Sequence, residues 1–128
     1  MREILFRGKD IKGNWYEGLL AHNISKDEWY ISNKAGISTA YQVRPETIGQ
    51  FTGLTDKNGV KIFEGDIVRY GDTIHKVVFE QRNGTAYFGL VYSPIETLPF
   101  GHYQDLQQLE VIGNIYDNPE LIGGESDD

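Results

Sequence analysis

Cysteine is missing from this chain altogether. That absence excludes disulfide scaffolds, thiol catalysis, zinc ribbons and iron–sulfur clusters together, and it suits a reducing compartment such as the cytoplasm. No apolar run approaches membrane-spanning length. The opening MREILFRGKD has no apolar core of signal-peptide size before its charges resume. The expectation is a cytoplasmic protein with no membrane partner. Nucleotide-binding loops are absent too: neither GxxxxGK[ST] nor GxGxxG occurs, and no Ser or Thr sits in a nucleophile-elbow pattern. Thr52-Gly53 lacks the lysine followed by a hydroxyl residue and the helix that would put free amides on phosphate. The three histidines, His22, His75 and His102, contain no pair at i,i+2 or i,i+4. A metal site would therefore need distant segments to converge. No cofactor is expected.

What is present begins with charge. The 128 residues carry 19 acids against 12 Lys and Arg, a formal −7. Five of the acids, Asp117, Glu120, Glu125, Asp127 and Asp128, lie in the last twelve residues, which hold no Lys or Arg. Taking those five from 19 leaves 14 acids against 12 bases, so the body stands near −2. The acidity belongs mainly to the tail. It neither excludes nucleic acid nor supplies a basic stripe for it.

Turn signals recur at short intervals. Gly13-Asn14, Asn58-Gly59 and Asn83-Gly84 tolerate positive φ at tight reversals, and the last two stand between apolar runs that read as hairpins. Alternation places Thr73, His75, Val77 and Phe79 on one face of a strand, against Lys76 and Glu80. The same rule groups Ala86, Phe88, Leu90 and Tyr92, then Leu109, Val111 and Ile115 against Glu110 and Asn114. In the first third, Ile4 and Phe6 share a face, and WYEGLLA and EWYIS read as further strands. Helical candidates are short. Residues 105–109 could make a turn or two, and Asn118 before Pro119 is a cap-and-N1 pair for one closing turn. The fold class is mainly β: two small antiparallel units packed together, 1–54 and 55–122, with at most short helical turns. A flexible acidic tail follows at 123–128. Units of about 50–70 residues favour mutual packing over independence.

Two internal echoes stand out. Asp10-IKGN followed by Trp15, Glu17 and Gly18 resembles Asp56-KNGV followed by Phe63, Glu64 and Gly65. Thr47-Ile48-Gly49 similarly matches Val111-Ile112-Gly113. The spacing of the first pair differs, so it reads as coincidence; two strands of similar role would explain the second.

The blocks ETIGQFTGLTDKNGVKIFEGDIV at 46–68 and EVIGNIYDNPEL at 110–121, with FRGKDIKGNWYEGLL at 6–20, resemble the YopX family of bacterial and prophage proteins. The resemblance spans nearly the whole chain, and its middle block is the most specific. It implies a mostly β protein of phage-derived origin whose later half resembles a small SH3-like barrel. No activity comes with it, and no catalytic residue is carried across.

Candidate site residues then follow from residue chemistry. Glu64 and Asp66 are two apart. On a regular strand they would share a face roughly 7 Å apart, as an acid–base pair in a hydrolase would require. The plainer reading has Gly65 supplying a bend, with its flanking acids capping turn amides or facing water. Aromatic residues are the richer resource: eight Tyr, six Phe and two Trp. Trp15, Trp29 and Tyr30, with Phe100, His102 and Tyr103, put rings on an outer face or in a loop, where they could stack on a ligand or meet another subunit. Core packing is the first use of such rings in a small β unit. Lys57, Lys61, Arg69, Lys76 and Arg82 could line one side of the second unit for nucleic acid. The reading that follows is a non-enzymatic binding or assembly module that forms homo-oligomers, with a phage or host protein as a further partner. Nucleic-acid binding is the alternative, and a carboxylate-pair hydrolase comes last.

Overall fold

The computed structural model describes residues 4–32, 39–82, 85–93, 96–99 and 108–123. The chain divides into two compact units, Met1–Gly53 and Leu54–Asp128. Both are built of antiparallel strands, and the described residues contain no α-helix, only short 3-10 turns. The mainly β reading holds.

In the first unit, β1 (Phe6–Lys9), β2 (Trp15–Asn23), β3 (Glu28–Ser32), β4 (Tyr41–Val43) and β5 (Gly49–Thr55) form a sheet in the order β4-β3-β2-β1-β5. The registers Arg7↔Glu17, Lys9↔Trp15, Ala21↔Tyr30 and Tyr30↔Gln42 put these side chains on one face. The opposite face holds Phe6, Gly8, Tyr16, Gly18, Leu20, Ile31, Tyr41 and Val43. Ile31 and Val43 are buried there, and Tyr16 stacks on Tyr41 with ring centroids 4.2 Å apart. Burying each aliphatic chain contributes about 1.5–3 kcal/mol.

The sheet is rolled rather than flat. A Cβ placed on Gly8 would lie 2.9 Å from both Val43 Cβ and Val43 Cγ2, although β1 and β4 are three strands apart in the sheet order. Just past β4, the Arg44 amide donates to the Lys9 carbonyl at 2.8 Å. Glycine at position 8 lets this roll close. The 3-10 turn Pro45–Thr47 then leads into β5. Buried Thr47 fastens it: its hydroxyl oxygen accepts from the Lys9 amide at 2.9 Å and donates to the Arg44 carbonyl at 2.7 Å.

β5 runs across the division between the units, and its far end neighbours β6 (Lys61–Phe63). The second unit continues with β7 (Asp66–Tyr70), β8 (Thr73–Arg82), β9 (Thr85–Ser93), β10 (Glu96–Pro99) and β11 (Leu109–Asn114). These five later strands form a sheet in the order β10-β9-β8-β7-β11. Its core is Ile62, Val68, Val77, Leu90 and Leu109, with Tyr70 and Val111 packed against it. The described pairings leave β10 and β11 as the two edges, so they do not close a barrel of the SH3 type.

Alternation places most core residues correctly. His75, Val77, Phe88 and Leu90 are buried together on the expected face of β8 and β9. That face surfaces toward the hairpin end, where Phe79 is 38% exposed, its ring 4.9 Å from that of its cross-strand partner Phe88. Ala86 is exposed, and the Tyr92 side chain lies outside the described residues. Ile4 is also exposed, since it precedes β1 and has no strand partner to cover it. Residues 105–107 and the Asn83-Gly84 turn lie outside the described residues, although β8 and β9 pair up to Arg82↔Thr85. The Pro119–Ile122 turn forms as expected, but Asn118 does not cap it with its side chain. Asn118 Oδ1 instead accepts from the Asn114 amide.

Gly8→Ala is expected to destabilise the protein by about 1–3 kcal/mol through overpacking against Val43. Adding Val43→Ala to Gly8→Ala should remove the clash, so the pair should cost less than the sum of the single changes. Denaturant unfolding of the four proteins in the cycle measures this.

Candidate functional site

The aromatic candidates separate onto two faces. Trp15 and Tyr30 lie on the outer face of the first-unit sheet. The Arg7 guanidinium stands over the Trp15 ring at 4.9 Å and the Lys9 ammonium at 5.7 Å, within cation–π range. The Tyr30 hydroxyl donates to Glu28 at 2.7 Å. That carboxylate, with partial burial, holds the phenol above its ordinary pKa. Trp29 points to the inner face, where it stacks on its cross-strand partner His22 at 3.8 Å, with ring planes 6° apart. His22 Nε2 meets Asp27 Oδ1 at 2.8 Å, and Asp27 takes a positive φ of 52° in the intervening turn. Trp29 therefore belongs to a hairpin-end stack and does not share the surface of Trp15 and Tyr30. Phe100, His102 and Tyr103 lie outside the described residues.

The carboxylates are committed to turns. Asp10 Oδ1 accepts from the amides of Lys12 and Asn14 at 2.9 and 2.8 Å, while Asp10 N donates to Asn14 O and Gly13 N to Asp10 O. Asp56 repeats this bond for bond. Its Oδ1 accepts from Asn58 and Val60 at 2.8 and 2.9 Å, Asp56 N donates to Val60 O, and Gly59 N donates to Asp56 O. Gly13 and Gly59 both take positive φ, 92° and 81°. The echo read as coincidence is thus one turn used twice, Asp-x-x-Gly-x, ahead of β2 and ahead of β6. Its two central residues differ freely because only their backbones take part.

The two copies differ in what the second carboxylate oxygen holds: that of Asp10 accepts from Asn14 Nδ2 and the Tyr16 hydroxyl, each at 3.2 Å. Asp56 is 6% exposed, and its second oxygen accepts from the Val111 amide of β11 at 2.8 Å. Burial alone would push this carboxyl up. The amides of Val111, Val60 and Asn58, helped by the Lys57 charge, outweigh it and hold the pKa below the ordinary aspartate value.

Glu64 and Asp66 do not form a carboxylate pair on a strand. Glu64-Gly65 is a turn between β6 and β7, with Gly65 at φ 93°. Asp66 is 2% exposed, and its Oδ2 accepts from the Phe63 amide at 2.7 Å. Gly65 N donates to Val77 O, and Gly65 O accepts from Ile115 N. The bend-and-cap reading describes this segment.

Among the basic candidates, Arg69 and Lys76 share a face with Glu110. Glu110 Oε1 lies 3.4 Å from Arg69 and 3.9 Å from Lys57, so one acid draws on two of the five. Lys61 is exposed on β6, and the Arg82 side chain lies outside the described residues. His75 is buried. Its Nδ1 meets the Val91 carbonyl, which can only accept, so Nδ1 carries a proton, while Nε2 meets the Thr73 hydroxyl at 2.7 Å. Among the described residues no three His, Asp or Glu side chains gather as a metal site.

One feature carries no motif. Beside β4, Ile11, Gln42, Val43, Arg44 and Pro45 line a groove of about 320 Å³. Proline after Arg44 favours the extended conformation there, and φ −76°, ψ 124° is observed. Nothing else in the sequence marks the groove, because Ile11 reaches it from a different turn.

The model of the YopX family, described as YopX protein, matches residues 6–123. No curated protein matches the chain. Among solved structures, the chain is similar to the crystal structure of protein EF1440 from Enterococcus faecalis. That similarity has a TM-score of 0.56 and 26% identity, and covers 95% of this chain and 99% of that one.

Asp56→Ala is expected to cost about 2–4 kcal/mol, because three amides lose a charged acceptor and that of Val111 is partly buried. Asp10→Ala, which frees exposed turn amides and the Tyr16 hydroxyl but no amide of a distant strand, should cost clearly less. The folded pKa of Asp56 lies below its unfolded value of about 3.9. Its stabilisation is therefore complete above that value and is lost as pH falls through the folded one. Denaturant unfolding from neutral to acid pH should show wild type and Asp56→Asn converging in stability over that window.

Proposed function

The chain belongs to the YopX family, and we propose that it serves as a non-enzymatic, phage-derived binding and assembly module of the cytoplasm, forming homo-oligomers. The observation that carries the reading is the outer face of the first-unit sheet. Leu19 stands there 50% exposed beside exposed Ala21, with half-buried Trp15 and Tyr30 on the same face. Wide, rigid rings next to exposed aliphatic surface are the usual composition of a subunit contact. The use of Asp10, Asp56 and Asp66 as amide acceptors also favours binding over hydrolysis. The phage-derived origin rests on the family resemblance. Within the described residues no helix is long and apolar enough to cross a membrane.

The nucleic-acid alternative, on Lys57, Lys61, Arg69, Lys76 and Arg82, has weaker support, since Glu110 sits against both Lys57 and Arg69.

Light scattering after size exclusion, from micromolar concentration upward, is expected to give a mass of at least twice the 14.5 kDa chain. Leu19→Glu should return the monomer mass while leaving the circular dichroism spectrum of the folded chain unchanged. A monomer at every concentration removes the assembly reading, and tight binding of DNA or RNA at low salt would move the assignment to the alternative.

A further inference from the structure

We propose that the groove beside β4 is a docking site for an extended peptide segment that carries a carboxylate side chain. Three observations converge on it. First, β4 is an edge strand, hydrogen-bonded in the described sheet only to β3. A free strand edge offers backbone donors and acceptors to an added strand. Second, the groove combines apolar walls from Ile11, Val43 and Pro45 with the polar ends of Gln42 and Arg44. An apolar side chain and a neighbouring acid would both find partners in it.

Third, Arg44 is fixed at its backbone and under-used at its head. Its amide donates to Lys9 O, and its carbonyl accepts from the Thr47 amide and hydroxyl. The residue cannot leave the groove without breaking the Thr47 clasp. Its guanidinium, however, makes one contact of 3.5 Å from Nη1 to exposed Glu46. Its Nε is enclosed and has no hydrogen-bond partner among the described residues. A buried donor left unpaired is costly, and an arginine fork is best satisfied by a carboxylate taking two of its N–H groups. A side-chain swing that turns Nε outward would meet an acid in the groove with both. Charge and shape thus select a peptide whose acid lies next to an apolar residue. The site meets the Leu19 face only through Gln42, and its test reads peptide binding rather than mass, so the two readings fail independently.

The test uses the full chain, isotope-labelled for NMR, titrated with the capped peptide Val-Thr-Glu-Val-Thr. Its Gln counterpart and isobutyrate alone serve as controls. The expected result is saturable shift changes centred on residues 11 and 41–45. Affinity should fall about tenfold or more with the Gln peptide, and by a similar factor with Arg44→Gln. Arg44→Lys, which keeps the charge but not the fork, should bind more weakly than wild type, and unchanged spectra elsewhere show that both variants are folded. No shifts at millimolar peptide, equal binding of the Gln peptide, or isobutyrate binding as tightly as the peptide would each overturn the proposal.

Discussion

A single carboxylate, that of Asp56, ties the second unit together. It closes its own turn through the Asn58 and Val60 amides and, with its other oxygen, holds the Val111 amide of β11. The neighbouring Lys57 amide adds a bond to the Leu109 carbonyl. The turn ahead of β6 is thereby fastened to the strand that covers β7 on the other side of the sequence. Between them lies the buried cluster of Ile62, Val68, Val77, Leu90 and Leu109. Non-directional apolar burial supplies most of the stabilisation of such a core, and directional bonds of this kind select one register.

The first unit solves the same problem by a different route. Its Asp10 turn copies the Asp56 turn but reaches no further than Asn14 and Tyr16. Long-range fastening passes instead to the rolled sheet, where Gly8 admits Val43 and Thr47 clasps Lys9 to Arg44. One local device therefore serves two units, and each adds its own distant contact.

Much of this was legible in the sequence. Asn58-Gly59 and Gly13 marked their turns because positive φ leaves few residue choices. The two-residue period of His75, Val77, Phe88 and Leu90 marked a buried face. The plain reading of Glu64-Gly65-Asp66 was available from glycine between two potential caps. The repeated Asp turn reads as coincidence in the sequence, because Ile11-Lys12 and Lys57-Asn58 share no side-chain chemistry and the shared element is backbone. The roll of Gly8 onto Val43 was not legible. It joins strands far apart in the chain, and a glycine in a strand gives no sign of which residue approaches it. The groove at Arg44 depends on that roll and stayed hidden with it. Trp15 and Trp29 look alike as sequence, and only the register of β2 against β3 puts them on opposite faces.

The sequence distances of the two clasps set an order for biosynthesis. Lys9 and Thr47 are 38 residues apart, whereas Asp56 and Val111 are 55 apart. As the chain leaves the ribosome from its N-terminus, the first clasp has both halves available early. The partner of Asp56 is translated 55 residues after the aspartate itself. Until then, that aspartate stays hydrated and β7 lacks its outer neighbour, so truncated nascent chains are the form in which the second unit is exposed to wrong partners.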